Sequence, residues 1–209
     1  MLRSLLVASA LMIAAPAFAT PEALLPGLAD VVDVAANDTL NVRAEPNASA
    51  AVRGTLAPDA KGIEIIGFDK TGAWAEISRG ETTGWASGKF LRLRSDTWKA
   101  GELPATVSCY GTEPFWNLKR TPEGMEFSTP DGAPRKLELR RVMDRGLSED
   151  ATRALIAGDG AGRVTAVIQP EICSDGMSDR SFGLSTIVIL DGANSPSRML
   201  SGCCSVAQR

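Results

Sequence analysis

Four cysteines in three distant segments constrain the fold of the second half of the chain more than any other feature. They are Cys109, Cys173 and the adjacent pair Cys203 and Cys204. Neighbouring cysteines bond to each other only in strained geometry, because the Cα atoms of a disulfide usually lie well beyond the roughly 3.8 Å between neighbours. We therefore predict two long-range disulfides, in which Cys109 and Cys173 each bond to one member of the C-terminal pair. Either assignment of partners is compatible with the sequence.

The N-terminus has the order of a secretory signal peptide. A basic start, Met1-Leu2-Arg3, is followed by an apolar run over 5–15 and by the small-residue end Ala17-Phe18-Ala19. Cleavage is expected after Ala19, and no lipid anchor is expected because the next residue, Thr20, is not a cysteine. The apolar run is shorter than the about 18 residues that span a bilayer, and no later stretch is long enough. The mature protein is therefore expected to be periplasmic or secreted, where disulfides form.

Composition excludes several kinds of site. The chain contains no histidine, which excludes Ser-His-Asp and Cys-His nucleophile systems and histidine-based zinc or haem sites. With 22 basic and 25 acidic residues, the formal net charge of −3 does not favour nucleic-acid binding through a broad basic face. We expect no cofactor and no metal ion. Any catalysis would rest on carboxylates, lysine, tyrosine or a thiol.

Residues 28–94 are predicted to form a small β-barrel. Short runs of β-forming residues alternate with Gly, Pro, Asp and Asn, as in barrels built from short strands. The expected strands are 31–34, 40–43, 52–56, 62–68, 74–78 and 84–86.

This region resembles the bacterial SH3-like (SH3b) domain. The resemblance is carried by Leu40-Asn41-Val42-Arg43, Pro46, Gly54-Thr55-Leu56, Gly72-Ala73-Trp74-Ala75-Glu76-Ile77, Thr83-Gly84-Trp85-Ala86 and Phe90-Leu91. It implies a small barrel that binds peptidoglycan or its peptides. Trp74 and Trp85 are candidate ligand contacts because tryptophan combines a large apolar area with an N–H donor, and packing in the core or rim of the barrel is the alternative. Glu45, beside the turn proline, is a further candidate.

Residues 95–103 lose strand alternation and are predicted to be a linker, within which Trp98 is a candidate for packing between the two halves. Residues 104–209 are predicted to form a disulfide-tied antiparallel barrel or sandwich with one short helix. Strands are expected at 105–110, 115–120, 125–128, 135–143, 163–168 and 184–190. The helix is expected to start at Ser148, a residue type that caps free N–H groups, and to run to about residue 157.

Three words in this half resemble an uncharacterised bacterial envelope family of predicted lipoproteins and periplasmic proteins. They are Gly111-Thr112-Glu113-Pro114-Phe115-Trp116, Cys173-Ser174-Asp175-Gly176-Met177-Ser178-Asp179-Arg180 and Leu200-Ser201-Gly202-Cys203-Cys204. The resemblance implies a domain identity and a compartment, and it brings no activity with it.

Polar residues in these words are the candidate site of the second half. Glu113, Asp175 and Asp179 would supply an acid and a base, or oxygen ligands for Ca²⁺, if the disulfides draw their loops together. Arg180 is a candidate ligand contact. The alternative is that Asp175 and Asp179 accept backbone N–H bonds in turns, with Arg180 paired to one of them.

Our leading hypothesis is a non-enzymatic, two-module periplasmic protein. Its SH3-like module would bind peptidoglycan or wall peptide, and its C-terminal module would recognise another envelope component. A carboxylate-dependent cell-wall hydrolase and an inhibitor of a wall-degrading enzyme are the alternatives. The oligomeric state is left open.

Overall fold

The computed structural model describes residues 24–148, 150–193 and 195–208. The predicted signal peptide, residues 1–19, lies outside the described residues. Within these ranges the chain forms fifteen strands and one short 3-10 helix. No helix in the described part of the chain is long and apolar enough to cross a membrane. The predicted all-β class is therefore confirmed.

The first seven strands form one antiparallel sheet in the order β3-β2-β6-β5-β4-β1-β7. They are β1 Gly27–Val31, β2 Leu40–Arg43, β3 Val52–Leu56, β4 Ile63–Phe68, β5 Trp74–Arg79, β6 Thr82–Ser87 and β7 Leu91–Leu93, with the 3-10 helix Gly88–Phe90 before β7. Alternate apolar side chains point inward and form a small core that includes Leu40, Leu56 and Ile77. The expected strands between 40 and 86 are present, whereas the first strand lies at 27–31 instead of 31–34.

The remaining eight strands close into an antiparallel barrel in the order β10-β11-β12-β13-β14-β15-β8-β9. They are β8 Ser108–Thr112, β9 Phe115–Thr121, β10 Gly124–Ser128, β11 Arg135–Met143, β12 Arg153–Asp159, β13 Gly162–Ser174, β14 Ser181–Gly192 and β15 Arg198–Ser205. Fully buried side chains such as Trp116, Leu118 and Leu155 fill the interior. Closure gives every strand of this barrel a hydrogen-bonded neighbour on both sides.

The short helix predicted from Ser148 to about residue 157 is wrong, because β12 occupies Arg153–Asp159. The carboxylate of Asp150 accepts the Arg145 guanidinium at 2.6 Å and the backbone N–H of Thr152 at 3.0 Å. The same side chain to backbone bond that caps a helix here stabilises a turn. The strand is favoured by tertiary context, since Leu155 is buried in the barrel and its strand neighbours alternate outward.

Two disulfides join the three cysteine segments, as predicted. Cys109 of β8 lies directly opposite Cys204 of β15, and these two are bonded across a sequence separation of 95. Cys173 at the end of β13 is bonded to Cys203 of β15 across a separation of 30, although β14 lies between these strands in the sheet order. Disulfides of this kind fit a periplasmic or extracellular protein.

The segment predicted to be a linker is bonded to both halves of the chain. The indole Nε1 of Trp98 donates to the backbone oxygen of Pro26 at 2.7 Å. The hydroxyl of Thr97 accepts the backbone N–H of Leu28 at 3.1 Å. The Trp98 ring is buried in the core cluster of the eight-stranded barrel, where the Arg153 guanidinium lies 5.2 Å from its centroid. These contacts hold the seven-stranded sheet against the barrel.

Candidate functional site

Two tryptophans lie on the outer face of the seven-stranded sheet, at diagonal positions of the neighbouring strands β5 and β6. Trp74 and Glu76 point outward from β5, because their neighbours Ala75 and Ile77 are buried. Trp85 of β6 is the direct cross-strand partner of Glu76. Side chains paired in this way have Cβ atoms about 5 Å apart. Both tryptophans are partly exposed, so a carboxylate lies within a half-open aromatic surface, which we call the Trp74–Trp85 face.

The Glu76 carboxylate on this face has no counter-charge among the residues that the structure describes. Its Oε2 lies against the backbone of Gly67 on β4, where an added Cβ atom would come within 3.3 Å of it. Within the described residues, no hydrogen bond or ion pair reaches this carboxylate. Partial burial raises the pKa of Glu76 above its usual value. A desolvated carboxylate without a partner favours a ligand that brings N–H donors or a positive charge.

Glu45 lies in the exposed turn after β2, whose last residue, Arg43, is the cross-strand partner of Trp85. The turn is held by a bond from the Asn47 amide to the Glu45 carboxylate at 3.3 Å. Glu45 is therefore two residues along the chain from the strand partner of Trp85.

The eight-stranded barrel carries an open cleft of about 940 Å³ on its outer surface. Strands β13, β14, β15 and β8 form its floor, and the loops at 112–115 and 174–177 form one end. A bond from the Thr112 hydroxyl to the backbone oxygen of Asp175, 3.0 Å long, ties these loops together. We call this the barrel cleft. All three sequence words of the second half contribute to it.

Glu113 and Asp175 both line the barrel cleft, whereas Asp179 does not. The Asp175 carboxylate accepts the backbone N–H groups of Met177 and Ser178, each at 3.0 Å, and the Ser178 hydroxyl. Although burial alone would raise the pKa of Asp175, these hydrogen bonds lower it below its usual value. The Asp175 carboxylate therefore stabilises its own turn, which was the alternative to a role in a site. Asp179 is exposed and pairs through its backbone with Thr82 of the first sheet.

Arg180 lies between the two halves of the chain and does not line the barrel cleft. Its Nε donates to the Ser78 hydroxyl at 2.8 Å, and its Nη2 lies 3.4 Å from Oε2 of Glu64. The guanidinium also stacks 4.3 Å from the ring centroid of Phe182. The side chains of Arg180 and Glu64 are 7% and 0% exposed, so this is a buried ion pair. The predicted pairing of Arg180 with an aspartate of its own loop does not occur.

Glu64 receives two further bonds from the C-terminal segment, at the end of β15 and just after it. The Ser205 hydroxyl and the backbone N–H of Val206 each donate to its carboxylate at 2.7 Å. Burial raises the pKa of Glu64, while these bonds and the charge of Arg180 act in the opposite direction. The cluster is thus a polar joint between the two halves.

Comparison with known families identifies the first half. Residues 38–92 match the family model of the bacterial SH3 domain. The seven-stranded sheet contains a bacterial SH3 domain. Comparisons with curated proteins and with solved structures found no match to the chain.

The bacterial SH3 domain carries two functional candidates that sequence reasoning missed. Strand alternation in the word at 72–77 puts Glu76 on the same face as Trp74, so this signal was present in the sequence. Glu64 stands between Ile63 and Ile65, and a charge within an apolar strand signals a buried partner. Nothing local indicates that this partner is Arg180, because 116 residues separate the two.

Proposed function

We propose that the protein is an exported two-module binding protein. Its bacterial SH3 domain would bind peptidoglycan or wall peptide, and its eight-stranded barrel would recognise another envelope component. A bacterial SH3 domain suggests a cell-wall or peptide-binding module. The observation that carries the proposal is the unpaired Glu76 carboxylate on the Trp74–Trp85 face.

The chemistry of this face suits a peptide with an amino group. Indole rings offer broad apolar surfaces, and their negative π-faces attract ammonium groups. The Glu76 carboxylate would accept hydrogen bonds from the same ammonium group, which would replace the water that partial burial removes. Glu45, two residues from the strand partner of Trp85, would contact a neighbouring part of the ligand. A ligand held in this way would be recognised by position and charge.

The polar joint around Arg180 and Glu64 supports joint action of the two modules. Two sites held at a fixed separation bind two attached targets with less loss of freedom than sites on independent modules. We therefore propose that the barrel presents its own partner beside the wall.

At the barrel cleft, binding is better supported than hydrolysis. A general acid needs a carboxyl with a raised pKa, whereas hydrogen bonding lowers that of Asp175. Asp179 lies outside the cleft, so Asp175 is the one carboxylate of the predicted set that lines it together with Glu113.

Retention by purified peptidoglycan sacculi tests the proposal. Trp85→Ala and Glu76→Gln should each weaken retention of the mature protein, Trp85→Ala by at least about tenfold, as for an aromatic hot spot. Ile189→Ala is the control, because Ile189 is an exposed apolar residue of the other module. Equal retention of all three variants and the unaltered protein would contradict the proposal, as would no retention of any of them.

A further inference from the structure

The barrel cleft is acidic and contains no basic side chain among its described lining residues. Its charged members are Glu113, Glu171 and Asp175. The Asp175 carboxylate is hydrogen-bonded within its own turn. Glu113 is exposed and, among the described residues, receives no hydrogen bond. Glu171 accepts one bond, from the Ser185 hydroxyl at 2.7 Å, and is otherwise exposed. The carboxylates of Glu113 and Glu171 are therefore accessible to a ligand. The negative charge of the cleft disfavours the binding of phosphate and other anions.

The two available carboxylates lie on opposite sides of the cleft. Glu171 belongs to β13 and Glu113 follows β8, and strands β14 and β15 lie between them. The Glu171 carboxylate is held at Ser185 of β14, whose partners across β15 and β8 are Cys203 and Tyr110. Two strand steps of about 4.8 Å and the three residues from Tyr110 to Glu113 therefore separate the two carboxylates by roughly 14 Å. A small amine would reach one side only. In an extended peptide, residues i and i+4 are about 13 Å apart and point to the same face.

Exposed apolar side chains also line the barrel cleft. Ile187 of β14 is 47% exposed on the cleft floor, and Phe115 and Met177 in the end loops are 50% and 68% exposed. Large apolar side chains this exposed on one surface indicate an interaction site. The volume of about 940 Å³ is at the upper end of ligand-binding clefts, which suits a segment of several residues.

We propose that the barrel cleft binds an extended polypeptide segment with basic side chains at positions i and i+4 and an apolar side chain at i+2. The basic groups pair with Glu113 and Glu171, and the apolar side chain contacts Ile187. This inference deepens the proposed function, since it states the chemistry of the partner that the barrel recognises.

Amide-resolved NMR titration of the mature protein with blocked pentapeptides tests this pairing. The probe is acetyl-Lys-Ser-Leu-Ser-Lys-amide, and acetyl-Lys-Lys-Ser-Leu-Ser-amide is a control of the same composition with adjacent lysines. A second control replaces both lysines of the probe by glutamate. The probe should shift signals of residues 112–115, 171–177 and 185–187 and bind more tightly than either control. The titration contains no wall material, so its result is independent of wall binding by the SH3 domain.

A double variant assigns the binding to the two carboxylates. Glu113→Gln with Glu171→Gln should weaken the probe by about tenfold at low salt, because each exposed charge pair is worth up to about fivefold in affinity. Its matched control is Glu102→Gln with Glu123→Gln, which changes two exposed glutamates outside the cleft and should leave the affinity unchanged. Equal affinity for the three peptides, equal weakening by the two double variants, or shifts confined to other surfaces would overturn the proposal.

Discussion

Replacing Arg180 by methionine leaves the Glu64 carboxylate buried without the guanidinium that faces it. Removing one partner of a buried ion pair costs about 3–5 kcal/mol of stability. Glu64 retains the bonds from Ser205 and Val206, so we expect the lower end of that range, about 3 kcal/mol. For a domain of this size, such a loss lowers Tm by roughly 6–12 °C.

Urea and thermal unfolding of the protein at pH 7 measure this loss. Arg163→Met is the matched control, because it breaks the exposed ion pair with Asp191 and should cost less than about 1 kcal/mol. Adding Glu64→Gln to Arg180→Met removes the uncompensated charge and keeps an acceptor for Val206. The double variant should therefore be more stable than Arg180→Met alone. A loss below about 1 kcal/mol for Arg180→Met, or a double variant that is no more stable, would refute the reasoning.

Two further predictions concern the same joint and the disulfides. Burial raises the pKa of Glu64 above its ordinary value of 4.5. The stability advantage of the unaltered protein over Glu64→Gln should therefore be largest below pH 4.5 and should fall as pH rises through the folded-state pKa. Urea midpoints between pH 4 and 8 measure it, and an advantage that grows with pH would contradict the assignment. Replacing Cys109 and Cys204 by alanine should cost roughly 4–5 kcal/mol, and replacing Cys173 and Cys203 roughly 3–4 kcal/mol, because the first bridge closes the longer loop. Urea unfolding without a reducing agent compares the stability lost in the two double variants. The reverse order would show that loop length does not control the contribution of each disulfide.

Most strands could be predicted because their signal is local. The run at 135–143 alternates polar and apolar residues and coincides with β11. The error after Ser148 has the same origin, since the residues that cap a helix also stabilise a turn, and only the barrel neighbours favour a strand there. β1 was misplaced because its strand partners, β4 and β7, are far along the chain.

The candidate site was predicted less well than the fold, because long-range register decides which side chains meet. The bridge between Cys109 and Cys204 follows from the pairing of β15 with β8, which cysteine spacing alone does not define. Arg180 stood in a polar loop beside two aspartates, and the packing of the two modules turned it toward Glu64 instead. The barrel cleft brings together words separated by about half the chain. Contacts between such distant segments depend on tertiary structure and leave no local pattern in the sequence.

Indole N–H signals provide the most direct measurement of the central claim, that the Trp74–Trp85 face binds wall peptide. The chain has four tryptophans, and each gives one signal. Trp98 and Trp116 are buried, at 7% and 1% exposure, and serve as internal references. On titration with a soluble muropeptide, the signals of Trp74 and Trp85 should shift together, and Glu76→Gln should weaken the response. Shifts of neither signal at saturating muropeptide, or a response unchanged by Glu76→Gln, would contradict the account.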